Sequence, residues 1–173
     1  MKRILMLILA GLVAVLVQAT IFSYLPGGRI KPDLLLIVVL YVGFFLPPTE
    51  GGVLSFLLGY LADLFSGPVM GLFTFTRVVA WFLSKLASGV LHVKSTPAQT
   101  IFVAVYSGID ALVLVGALRL FGGPDYPAPE LDTGVLWRAL LNAIAAPFVI
   151  TGLSRLDRRF ESGFPRKRLD FMP

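Results

Sequence analysis

The sequence predicts an all-α integral membrane protein, a bundle of six transmembrane helices, and three observations carry that prediction. Of 173 residues, 57% are hydrophobic and only 14% are charged, against about 45–50% and about 25% in soluble domains. The mean hydropathy is +0.85, and the apolar residues gather in six long blocks closed by Gly, Pro or charge. The basic residues behind the net charge of +5 sit at block ends. Six lie in the tail: Arg155, Arg158, Arg159, Arg166, Lys167 and Arg168. That placement fits the positive-inside pattern of membrane chains and argues against a nucleic-acid partner.

The first block, Ile4–Leu25, follows Lys2-Arg3 and holds 22 residues. Its basic start and the Val17-Gln18-Ala19 site also resemble a signal peptide. The apolar run continues past that site, so it is read as a retained span. The second block, Asp33–Leu46, begins after Lys31-Pro32 and ends at Pro47-Pro48. The third, Gly51–Phe65, ends at Ser66-Gly67-Pro68. The fourth is Gly71–Leu91, the fifth Ala98–Phe121, closed by Gly122-Gly123-Pro124, and the sixth Val135–Leu153. The second and third reach only about 21–23 Å as helices, short of the ~30 Å of hydrocarbon. They are either true spans in a thinned bilayer or a re-entrant hairpin with Pro47-Pro48-Thr49-Glu50 at its tip. The exposed turn is the simpler reading, because a hairpin needs its irregular backbone buried in protein.

With six spans, nine Lys and Arg residues fall on one side: Lys2, Arg3, Lys94 and the six of the tail. Four fall on the other: Arg29, Lys31, Arg119 and Arg138. The excess puts both termini in the cytoplasm, and the acidic loop Gly122–Gly134 outside. No repeat or linker divides the chain. Residues 1–154 are read as one membrane domain and 155–173 as a basic tail. In that tail Leu153, Leu156 and Phe160 keep a helical spacing between arginines, as in a segment lying on anionic headgroups.

Zero cysteines exclude disulfides and thiolate metal sites. A single histidine, His92, excludes a multi-His centre. H-E-x-x-H, G-x-S-x-G and a Gly-rich phosphate loop are all missing from the sequence. No metal or other cofactor is expected, and no enzyme. Intramembrane aspartyl proteases also use two aspartates on separate helices, but with Tyr-Asp and Gly-x-Gly-Asp. This chain has Leu61-Ala62-Asp63 and Gly108-Ile109-Asp110.

Two features remain to be explained. Small residues, which let helices approach closely in lipid, form a stripe at i+4 spacing in the third block: Gly51, Ser55, Gly59, Asp63 and Gly67. Shorter pairs are Ala10/Ala14, Ala104/Gly108 and Ala139/Ala143. Such stripes pack the protein's own helices or dock another protein. Four ionisable residues lie inside blocks: Asp63, Arg77, Lys85 and Asp110. Each costs about 2.5–3.5 kcal/mol at a helix centre and is expected to pair inside the bundle. Depth favours Asp63 with Arg77, and Asp110 with Lys85. Asp33, after Pro32, is expected to cap the second helix.

The stretch Lys31 to Phe75 resembles the rod shape-determining MreD family. It contains Lys-Pro-Asp-Leu-Leu-Leu-Ile (31–37), Glu-Gly-Gly (50–52), Phe-Leu-Leu-Gly-Tyr-Leu-Ala-Asp-Leu-Phe-Ser-Gly-Pro (56–68) and Gly-Leu (71–72). The positions carrying the likeness are Pro32, Asp33, Gly51, Gly59, Asp63, Gly67, Gly71 and Leu72. The resemblance implies a multi-pass protein of the bacterial inner membrane, acting in the cell-wall elongation complex. The partners it implies are MreC, the actin-like MreB, and an elongation synthase made of a SEDS glycosyltransferase and a class B penicillin-binding protein. It also implies a fold similar to substrate-binding subunits of energy-coupling-factor transporters. The turns Arg29–Asp33 and Ser66–Gly71, with a span seam, are the expected MreC contact. The rival is a small-solute-binding transporter subunit, which the thin polar inventory of Gln18, Ser55, Asn142 and the four charges disfavours.

Overall fold

Without water, an apolar chain satisfies its backbone by forming helices. The computed structural model describes residues 2–20, 32–66, 69–90, 95–121 and 133–161. These form α1 (Lys2–Thr20), α2 (Leu34–Phe45), α3 (Pro48–Ser66), α4 (Leu72–Val90), α5 (Thr96–Phe121) and α6 (Thr133–Glu161). Among the described residues there is no strand. Three of the described segments are long and apolar enough to cross a membrane: Arg3–Thr20, Pro97–Phe121 and Gly134–Arg159. Gly67, Arg29, Lys31, His92, Lys94, most of the acidic loop and the tail beyond position 161 lie outside the described residues.

The expected short pair is corrected in one member. Pro48 opens α3, where a missing N–H costs nothing, and Gly51 N–H already donates to Pro47 O at 2.9 Å. Glu50 lies in that first turn, where its charge opposes the helix dipole. Thr49 and Glu50 therefore belong to a 19-residue helix of about 28 Å, rather than to a turn. Only α2 is short, with 12 residues and about 18 Å. Helix α6 runs unbroken through Arg155 to Glu161, so the first part of the basic tail is helical.

Contacts give the direction of each helix. Gln18, late in α1, reaches Pro32 O before α2. Arg3, at the start of α1, reaches Phe45 O at the end of α2. Asp63, late in α3, binds the first turn of α4, and Lys85, late in α4, reaches Leu46 O. The Phe44 and Phe102 rings lie 5.1 Å apart, and those of Phe75 and Phe121 5.7 Å apart. Arg3 pairs with Asp157 of α6. The helices thus alternate up and down between an Arg3 end and an Asp33 end, and the start of α1 meets the last turns of α6.

Helix α2 is the axis. It packs against α1, α3, α4 and α6, and residues 35–43 are all buried. The outer helices expose apolar faces, for example Leu5, Leu9 and Val13 on α1 and Leu140, Ile144 and Phe148 on α6. Such surfaces suit a hydrocarbon solvent rather than water.

Candidate functional site

A helix of about 18 Å ends inside a bundle built for a ~30 Å layer. Its terminal N–H and C=O groups need partners from neighbouring helices. At the far end of α2, Arg3 donates to Phe45 O at 3.3 Å and Lys85 Nζ to Leu46 O at 2.7 Å. Arg3 also pairs with Asp157 at 2.7 Å, and the Tyr41 hydroxyl donates to the same carboxylate at 3.1 Å. Cations at a helix C-terminus oppose its dipole as well as filling its carbonyls.

The near end of α2 holds the candidate site. Asp33 accepts from Leu36 N–H at 2.9 Å, as expected of an N-cap. The same carboxylate does more than cap. It accepts from Gln18 of α1 at 3.3 Å, Arg77 of α4 at 2.7 Å and Arg138 of α6 at 2.6 Å. Its own N–H donates to Asn142 Oδ1 at 2.6 Å. The Asn142 amide donates to Ser107 of α5 at 2.9 Å, which donates on to Val103 O. Arg77 also faces Asp110 of α5 at 3.4 Å, and Arg138 faces it at 3.8 Å. Two arginines thus match two aspartates, and the cluster ties α1, α2, α4, α5 and α6 together. Arg77 is 2% exposed, about 8 Å into α4 at 1.5 Å per residue.

The expected charge pairing is therefore corrected. Arg77 binds Asp33 and Asp110, and Lys85 binds a backbone carbonyl. Asp63 binds the free N–H groups of α4: Phe73 at 2.8 Å and Thr74 at 3.0 Å, with the Thr74 hydroxyl at 2.5 Å. Helix starts demand acceptors, and one carboxylate filled by three donors has no need of an arginine. Replacing Asp63 with Ala is expected to cost about 2 kcal/mol, the upper end for a lost cap. Asn, which keeps one oxygen acceptor, should cost less. Thermal unfolding in mild detergent checks this order.

The α3 stripe faces inward. A Cβ on Gly51 would meet the Trp81 indole nitrogen at 2.6 Å, and one on Gly59 would meet Thr74 Cα at 2.6 Å. Ser55 and Asp63 are buried on the same face. Gly51, Gly59 and Asp63 thus meet α4. Gly71 has φ of 89°, a left-handed value that favours glycine, and its carbonyl starts α4 by accepting from Phe75 N–H at 2.9 Å. Pro32 is buried, and its carbonyl accepts from Gln18 at 3.1 Å.

Sequence reasoning missed Arg138 and Gln18 as site residues, together with the Arg3–Asp157–Tyr41 cluster. Arg138, Asn142 and Ala146 stand at i+4 spacing on one face of α6. That spacing was the available signal. The small pair Ala139/Ala143 flanks this face, and Gly108 opens onto empty space. Chemically the site is a balanced latch. Both carboxylates face guanidinium groups, Asp33 closely and Asp110 at longer range. Among the described residues no group of three His, Asp or Glu side chains could hold a metal.

A family model described as rod shape-determining protein MreD matches residues 1–153. No curated protein and no solved structure matches the chain. Three apolar helices long enough to span, apolar outer faces and this match over most of the sequence agree with one another. The chain is a membrane protein of the rod shape-determining MreD family.

Proposed function

We propose that the chain is a non-enzymatic, multi-pass scaffold of the bacterial inner membrane. In this reading it has six spans, both termini in the cytoplasm, and a fold similar to transporter S-subunits. The membrane domain is residues 1–154 and the basic tail 155–173. It binds MreC and supports the elongation synthase, a SEDS glycosyltransferase with a class B penicillin-binding protein, alongside MreB. The observation that carries this reading is the latch. Its two positive and two negative groups cancel inside the bundle, which suits a body that holds its shape while others react. Shared ends for α1 and α6, through Arg3 and Asp157, support an even number of spans. The Lys and Arg excess then selects the cytoplasm. Exposed Arg155 and Arg158, at the Arg3 end, suit anionic headgroups.

The mechanism is differential binding: a scaffold shifts a two-state partner only as far as it prefers one state. A pull-down in gentle detergent from native cells tests the reading. MreC and the synthase are expected to co-purify. Paired ATPase subunits with a coupling membrane protein would replace the scaffold with a small-solute transport subunit.

A further inference from the structure

We propose that the cleft between the Arg3-end halves of α1 and α3 is the docking site for one transmembrane helix of another protein, with Lys or Arg at its cytoplasmic end. The proposal rests on the scaffold reading and its orientation, and adds the place and the chemistry of the partner. Helices α1 and α3 touch closely where Gly11 meets the Leu58 side chain, a contact that leaves no room for a Cβ. From there toward the Arg3 end they part. The opening holds about 310 Å³, lined by Ile4, Thr49, Glu50, Val53, Leu54 and Leu57.

Three features fit a helix. The floor is apolar and buried at Leu54, while Val53 and Leu57 remain exposed on the bank, so the cleft takes side-chain knobs rather than a polar solute. Val53 and Leu57 stand one turn apart on α3 with Ile4 of α1 on the other bank, apolar walls that suit a helix-in-groove contact. The third feature is Glu50, exposed at the mouth and, among the described residues, in no salt bridge. Arg3, the nearby cation in sequence terms, is already taken by Asp157 and Phe45 O. An unpaired carboxylate repels a lipid phosphate and attracts a basic flank. Transmembrane segments carry basic flanks on the cytoplasmic side, which is where this orientation puts Glu50.

The chain has no cysteine, so single-cysteine variants report one position each. Val53→Cys and Leu57→Cys, carrying a photo-crosslinker in native membranes, are compared with Phe148→Cys on the exposed face of α6. The expected result is an adduct from the cleft positions to a single-pass protein. Its crosslinked residue should lie within about two turns of that protein's cytoplasmic Lys or Arg, a span of about 11 Å at the helix pitch. Glu50→Lys should lower the yield several-fold at equal membrane level, and Glu50→Asp should restore it. Adducts to lipid alone, adducts to a second copy of this chain, or equal yields from Phe148→Cys each overturn the cleft. If MreC and the synthase still co-purify in that case, only the cleft fails. If transport ATPases co-purify instead, the scaffold reading fails too, and with it the orientation that faces Glu50 to the cytoplasm.

Discussion

Replacing Arg77 with Met is expected to lower the folded stability of the chain by about 3–5 kcal/mol, the cost of removing one partner from a buried ion pair. The protein should nearly vanish from the membrane fraction. The reason is the bookkeeping of charge inside the bundle. Arg77 holds Asp33 at 2.7 Å and Asp110 at 3.4 Å, and without it two carboxylates share Arg138 alone. Arg138 already gives its short contact to Asp33, at 2.6 Å, and its long one, 3.8 Å, to Asp110. Asp110 would be left with little compensation. Arg77→Lys should be nearly as harmful, because one ammonium cannot reproduce a planar fork that reaches two carboxylates. Asp33→Asn should come next, because it removes the anion shared by Arg77 and Arg138 while keeping an oxygen to cap α2. Asp110→Asn should be mildest, because its contacts are the longest. Exchanging charges between Asp63 and Arg77 should rescue nothing, since the two residues do not meet. Thermal unfolding in detergent and membrane abundance check the series. A wild-type melting point for Arg77→Met would remove the latch from the account of this fold.

Much of this arrangement was legible in the sequence, and the missing part has a physical cause. Element existence follows from apolar run length and from Gly and Pro, both local signals. The role of Asp33 as a cap follows from its place before an apolar run, also local. The α3 stripe was legible because five small or short residues recur at i+4, and the four described ones, Gly51, Ser55, Gly59 and Asp63, are buried on one face. The partner of Arg77 was not legible. Depth along a helix can be counted, but the azimuth of its neighbours depends on how six helices pack. Arg77 and Asp63 sit at similar depth, yet α2, the central helix, brings Asp33 to Arg77, while Asp63 turns to the first N–H groups of α4. Gly43 escaped notice for a related reason. It stands alone in an apolar run, with no small neighbour at i+4, yet it lets α2 lie close against Ser84 and Trp81 of α4. The start of α3 was misplaced because Pro48 was read as a breaker when it is an initiator.

Gly59→Ala tests the other joint of the bundle, and a single methyl group is expected to destabilise it by about 1–3 kcal/mol, the range for overpacking. The new Cβ would lie 2.6 Å from Thr74 Cα, 3.0 Å from Phe73 O and 3.1 Å from Thr74 N. All three are backbone atoms of the first turn of α4, so no side chain can swing aside, and the helices themselves must part by most of an ångström. One turn further along α3, Asp63 binds the N–H groups of the same two residues at 2.8 and 3.0 Å. Moving α4 away stretches those bonds toward lengths at which a hydrogen bond is lost. The glycine and the carboxylate thus act as one device: the first admits the helix end and the second fills it. Their substitutions should not add, and Gly59→Ala with Asp63→Asn should cost less than the sum of the two. Gly116→Ala is the control. Nothing lies within 4 Å of its Cβ, so relief of glycine's backbone entropy should leave it neutral or more stable by up to about 1 kcal/mol. Equal melting points for Gly59→Ala and Gly116→Ala would mean that α3 and α4 are not locked at this point. A fall confined to Gly59→Ala, together with a sub-additive double variant, would show that close approach and helix capping are a single contact.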